Sequence, residues 1–256
     1  MWRSGWLGGG LFLALAAAWA LWDPLLSYME AAYLGDPASN QAKIEAALLA
    51  RGRGALPALR RGLKSAEAPR RLRCAGLLAL LGEPEGEEAL FETLRGAQDA
   101  PGALAEHLLL TAWDRRRGPE PGKAARALSA GRVSRQAEAE QERKLDELLA
   151  QYPAWAGGYV ARARGRLRQD DPRGAVRDAL YALLIEPRHF EAALVLARAY
   201  KRLDYPEQAL DCMERALAIN PRLAAAVSAE MKELRAAAQA ERERRLKERR
   251  LELPVL

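Results

Sequence analysis

Three prolines, Pro153, Pro187 and Pro221, fall 34 residues apart. Each follows a short segment that closes an apolar stretch: Gln151-Tyr152, Ile185-Glu186 and Ile219-Asn220. A fixed period of this length means that one supersecondary unit is repeated, each copy burying its apolar face against the next. The unit has to be helical. Half of the residues are hydrophobic but only 6% are aromatic, and Ala and Leu dominate over β-branched residues, which favours helix over sheet. An all-α protein is expected.

The clearest unit starts with Phe190-Glu-Ala-Ala-Leu-Val-Leu-Ala-Arg-Ala-Tyr200, continues from Leu203 to Leu217 and closes at Pro221. Leu196, Ala197 and Tyr200 form one stripe on its first helix. Asp204-Tyr205-Pro206 makes the turn, and Ala209, Met213, Ala216 and Leu217 form the packed face of the second helix. Small residues at Ala197, Ala209 and Ala216 let the two helices approach closely. This unit resembles the tetratricopeptide repeat at nearly every patterned position, which implies a right-handed helical solenoid.

The preceding unit, Ala156 to His189, repeats the plan. Tyr159, Ala163 and Gly165 lie on its first helix, Asp170-Asp171-Pro172 forms the turn, and Ala175, Ala179, Ala182 and Leu183 follow. It departs from the family pattern at Arg162 and Arg166, where large apolar residues are usual. A third unit, residues 122–155, keeps Leu128, Leu145, Leu148 and Leu149 in register but has Gln141 where a small residue is expected. It reads as a degenerate repeat or as a plain linking helical pair. The tetratricopeptide region is thus placed at 123–222.

Ala224 to Leu251 contains no Gly or Pro and reads as one long helix within a charged C-terminal segment, 224–256. Val227, Met231, Leu234 and Ala238 share a face that would cover the last repeat, as the end of a solenoid requires. Farther on, Glu241 with Arg245 and Glu243 with Lys247 are favourable i,i+4 pairs. This basic end is a solvated helix or a segment that touches an acidic partner or lipid headgroups.

Upstream, residues 37–122 read as short helices broken by Gly and Pro. Ile44, Leu48 and Leu49 share a face; apolar stripes follow at Leu72 to Leu81, Ala89 to Leu94 and Leu104 to Trp113. The stretch from Ala68 to Pro84, followed by Glu87-Glu-Ala-Leu-Phe-Glu-Thr-Leu94, resembles a HEAT-like repeat. Gly118-Pro-Glu-Pro-Gly122 is a turn-rich break and the expected internal boundary.

Residues 1–36 have a different character. Ser4 to Trp22 carries no charge and, as a helix, would span about 28 Å, close to the hydrocarbon thickness of a bilayer. Trp2 and Trp6 at one end and Trp19 and Trp22 at the other give the aromatic belts of a membrane span. Ala18-Trp19-Ala20 also resembles a signal-peptidase site, so the segment is an uncleaved anchor, a cleaved signal or a buried helix of a soluble body. Arg3 precedes the span and Asp23, Glu30 and Asp36 follow it, which places the helical body outside the cytoplasm, in the periplasm of a bacterium.

The net charge is +6 and the isoelectric point about 9.5. Arg far outnumbers Lys beside abundant Ala, Gly and Pro, a bias expected from GC-rich codons, so no nucleic-acid partner is expected. Cys74 and Cys212 fall on separate apolar helical stretches and read as buried free thiols. His107 and His189 are far apart and lack ligands at metal spacing, and there is no Gly-x-Ser-x-Gly elbow, Walker loop or Cys-x-x-Cys. No enzyme, metal or cofactor is expected.

What the resemblance implies is protein binding. In tetratricopeptide proteins the first helices line a concave groove, and here the groove positions and their neighbours hold Arg164, Arg168, Arg198, Lys201 and Arg202. Such cations favour an acidic peptide segment or a terminal carboxylate. The asparagines of the family's carboxylate-clamp subtype are absent. A membrane-tethered scaffold is one reading; a self-associating component of an envelope assembly or cytochrome-maturation-like complex is the other.

Overall fold

The computed structural model describes residues 47–96, 100–120, 123 and 135–252, with the backbone only for 135–138 and 249–252. The expected anchor at 4–22 lies outside the described residues, as do Ile44 and Leu128. Among the described residues all regular structure is helical, and no helix is long and apolar enough to cross a membrane. Two compact units divide between Gly86 and Glu87, whereas the sequence suggested a boundary at 118–122.

In the first unit a helical stretch at 47–51 and a 3-10 turn, Gly52–Ala55, lead into α1, Leu56–Leu63, and α2, Ala68–Leu80. Pro57 and Pro69 sit in the first turns of α1 and α2, where the missing N–H has no helical partner to lose. Leu48, Ala55, Leu56, Leu59, Cys74, Leu77 and Leu78 form the core. The helices touch at Gly62, where a Cβ would stand 2.2 Å from the Cys74 sulfur. Burial pushes the Cys74 thiol up to about 11, so it is a packing group and not a reactive one. Gly82, at φ +82°, ends α2 in the left-handed conformation that suits glycine. Next comes α3, Pro84–Gly96, within which the two units divide.

The second unit continues with α4, Ala100–Arg117, and α5, Arg135–Gln151. Two helical hairpins follow: α6, Ala156–Arg168, with α7, Pro172–Ile185, and α8, Phe190–Arg202, with α9, Pro206–Ile219. A 3-10 turn, Pro221–Leu223, leads into the long α10, Ala224–Glu252.

The period of 34 is written into the backbone bonding. Tyr152, Glu186 and Asn220 each donate their N–H to the carbonyl four residues back, at 2.7, 2.9 and 2.9 Å. Trp155, His189 and Leu223 each donate to the carbonyl three residues back, at 3.1, 3.0 and 3.2 Å. The turn at Pro153 therefore has the geometry of those at Pro187 and Pro221, and α5 ends in the same register as α7 and α9. Within the hairpins, Asp170 and Asp204 take φ of +62° and +60°, a left-handed conformation Asp tolerates better than most residues.

One core runs from α6 to α10. Ala163, Ala175, Ala179, Ala197, Ala209 and Ala216 are buried, and these small residues leave room for Val160, Leu196 and Met213. Val227, Met231, Leu234 and Ala238 join the same core from α10. The long helix thus lays a narrow apolar seam on the last hairpin, as its sequence suggested, and most of its other described side chains are exposed.

Candidate partner-binding face

The five cations read as groove residues all lie on first helices of the hairpins or at their ends, and none stands alone. Arg164 on α6 meets Glu191 in the first turn of α8 at 2.9 Å. Arg198 on α8 meets Glu230 on α10 at 3.2 Å, and Lys201 meets Glu233 at 2.7 Å. Arg202 donates to the carbonyl of Leu167 and lies 3.4 Å from Asp170. Arg168 donates from Nη2 to Gln141 at 3.3 Å. The bond to Lys201 lowers the Glu233 pKa.

The repeat period sets this pattern. Arg164 and Arg198 are one period apart, as are Arg168 and Arg202, and the next position in the first row is exposed Lys232 on α10. Each row runs from one first helix to the next, with a carboxylate of a neighbouring element beside most cations. The side chains of Arg164, Arg198, Lys201 and Arg202 remain 39–49% exposed, so their ion pairs are weak surface pairs screened by water and salt. Sequence reasoning found the cations and missed Glu191, Glu230, Glu233 and Lys232. The available signal was the offset of 32 residues that Arg198–Glu230 and Lys201–Glu233 share.

Arg162 and Arg166 point elsewhere. Arg162 donates to both oxygens of Asp178 on α7, from Nε at 2.9 Å and Nη2 at 2.8 Å. Arg166 reaches the same carboxylate at 2.9 Å. From α5, Asp146 lies 2.5 Å from Arg162 and Glu142 lies 3.3 Å from Arg166. Burial opposes the Arg162 charge, yet the Asp178 and Asp146 carboxylates hold its pKa above the ordinary value. The large apolar residues expected there are replaced by two guanidiniums around one buried carboxylate. The stems of these arginines fill the space, and the heads tie α5, α6 and α7 together. Gln141, the other departure from pattern, is buried and bonded to Arg168.

Upstream in the same unit, α4 seats on the hairpins. Trp155 donates its indole N–H to Asp114 at 2.9 Å. Gly157 and Gly158 allow this approach: a Cβ on them would lie 1.9 Å from the Asp114 Oδ1 and 2.3 Å from the Trp155 ring. Burial raises the Asp114 pKa, with the Trp155 bond opposing it. Trp113 lies 4.9 Å, centroid to centroid, from His189, whose Nδ1 caps α8 through the Ala192 N–H. Burial lowers the His189 pKa to about 4, so this histidine is a neutral structural cap. Among the described residues no group of His, Cys, Asp and Glu could hold a metal.

No family model matches the chain, and no curated protein sequence matches it. Among solved structures it is similar to MamA, at 17% identity over 70% of this chain and 90% of that one, with a TM-score of 0.30. It is also similar to the TPR2AB domain in a pHSP90 complex of yeast Sti1, at 18% identity over 82% of this chain and 85% of that one, with a TM-score of 0.39.

Proposed function

We propose that this chain is a protein-interaction scaffold of the tetratricopeptide type, taking a partner peptide or helix on the face formed by α6, α8 and α10. The observation that carries this reading is the row of half-exposed cations repeated with the period of the fold, Arg164 with Arg198 and Arg168 with Arg202. Core packing does not require long charged side chains there, whereas an extended ligand crossing successive repeats meets one chemistry at regular intervals. Acidic segments fit it best. In this reading the upstream helices are HEAT-like, and residues 4–22 tether the chain to a membrane with the helical body outside the cytoplasm. The test is charge reversal, Arg198→Glu with Lys201→Glu, followed by crosslinking and pull-down from cells. Loss of the partner is expected; unchanged capture overturns the basic-face reading.

One observation favours a second reading, self-association. Leu180, Tyr181 and Leu184 on α7 are 47, 54 and 77% exposed, an apolar row of the kind that marks contact surfaces. Sedimentation of the full chain against Leu184→Asp decides it: an oligomer that the substitution dissociates supports self-association, and a monomer in both rejects it.

A further inference from the structure

We propose that α10 is a built-in competitor for the binding face, and that the ligand it excludes carries two carboxylates one helical turn apart. The inference rests on the scaffold reading above and adds the spacing of the ligand's charges and the element that regulates access to them.

Arg198 and Lys201 stand three residues apart on α8, and Glu230 and Glu233 stand three residues apart on α10. The two bonds are therefore parallel: one turn of an acidic helix is laid against one turn of a basic one, at 3.2 and 2.7 Å. Residues i and i+3 share a helix face, so Glu230-x-x-Glu233 is a template for what α8 accepts. A segment with the same spacing can replace both carboxylates at once.

The rest of α10 need not move. Val227, Met231, Leu234 and Ala238 hold its backbone in the core. Farther along, Arg242 and Arg245 both pair with Glu207 at the start of α9, at 2.8 and 3.1 Å. The competing carboxylates project outside this seam. Glu233 is 67% exposed and Lys201 39%, while Arg198 is 45% exposed beside a Glu230 that is 22% exposed, so a ligand reaches the Glu233 bond from solvent first and gains the second cation when the Glu230 side chain rotates away. The device sets a threshold: a segment with one carboxylate, or with two on different faces, exchanges one bond while the other persists.

The full chain is titrated with two fluorescent alanine-based peptides of equal charge, one with glutamates three residues apart and one with them two apart. Glu230→Gln with Glu233→Gln is expected to bind the first about fivefold more tightly than the parent does, given the modest worth of exposed pairs, and to bind the second little better. Glu233→Gln alone, at the more exposed position, is expected to give part of the gain, and thermal melting confirms that each variant is folded. Equal gains for both peptides mean a general charge effect and overturn the proposal, as does no gain. If Arg198→Glu with Lys201→Glu abolishes binding while the glutamine variants change nothing, the competitor is overturned and the scaffold reading stands. If charge reversal leaves binding intact, both fall.

Discussion

Arg162 grips Asp178 with two nitrogens, Nε on one oxygen at 2.9 Å and Nη2 on the other at 2.8 Å, inside a helical hairpin where the repeat pattern calls for apolar contacts. Only 2% of the Asp178 side chain is exposed, and Arg166 completes its coordination. Removing the carboxylate leaves two partly buried guanidiniums with only the more exposed Asp146 and Glu142 as counter-charges. Asp178→Ala is expected to destabilise the chain by about 3–5 kcal/mol, measured by urea unfolding. Adding Arg162→Met and Arg166→Leu should recover most of the loss, because an apolar set of similar volume needs no counter-charge.

His189 makes stability depend on pH. Its buried ring binds a proton only near pH 4, whereas the unfolded chain binds one near 6.5. Stability from this group is complete above about pH 6.5 and is lost as pH falls through 4, by up to roughly 3 kcal/mol. His189→Asn keeps a capping acceptor and removes the titration. Unfolding free energies between pH 7 and 4 should therefore fall less steeply in the variant than in the parent.

Asp114 is a carboxylate whose charge burial disfavours and whose oxygen serves Trp155. Asp114→Asn retains the acceptor and discards the charge, so its melting temperature at pH 7 should equal or exceed that of the parent. Asp114→Ala leaves the indole N–H unpaired and is expected to cost about 1–3 kcal/mol. Gly157→Ala, which drives a methyl into the same oxygen, should cost a similar amount, about 1–3 kcal/mol.

The hairpin turns give a backbone prediction. Asp204 lies at φ +60°, so Asp204→Gly should be near neutral, while Asp204→Val, branched at Cβ, should cost about 1–3 kcal/mol. Thermal unfolding of the two variants side by side distinguishes backbone strain from loss of the carboxylate, which both lack.

Much of the fold was legible because one period governs both sequence and structure. The alanines at the helix contacts, the aspartates of the turns and the seam of α10 all follow from spacing along one helix or from the interval of 34. Partnerships between helices were not legible. Arg162 looked like a departure from pattern because its counter-charges lie 16 residues away in both directions, at Asp146 and Asp178, and periodicity says nothing about which distant carboxylate a hairpin brings home. The same limit applies to the proposed binding face: register located Arg198 and Lys201, but only packing places Glu230 and Glu233 beside them. Gly118–Gly122 looked like a break, yet Asp114 before it and Trp155 after it are hydrogen-bonded. Glycine and proline mark where a chain turns, not where its contacts end.

The matched bonding at Pro153, Pro187 and Pro221 bears on how such a chain changes over generations. A cut at any two of these turns leaves ends of the same geometry, so loss or duplication of one full period rejoins a turn that already exists. Array length can drift by recombination without a new junction having to be invented. The ionic knot around Asp178 differs from the surface pairs that cross Pro187 and Pro221: its carboxylate is buried, it spans three helices, and a crossover that separates α5 from α6 and α7 would take Asp146 and Glu142 away from it. Recombination should therefore tolerate breakpoints near Pro187 and Pro221 and select against those near Pro153.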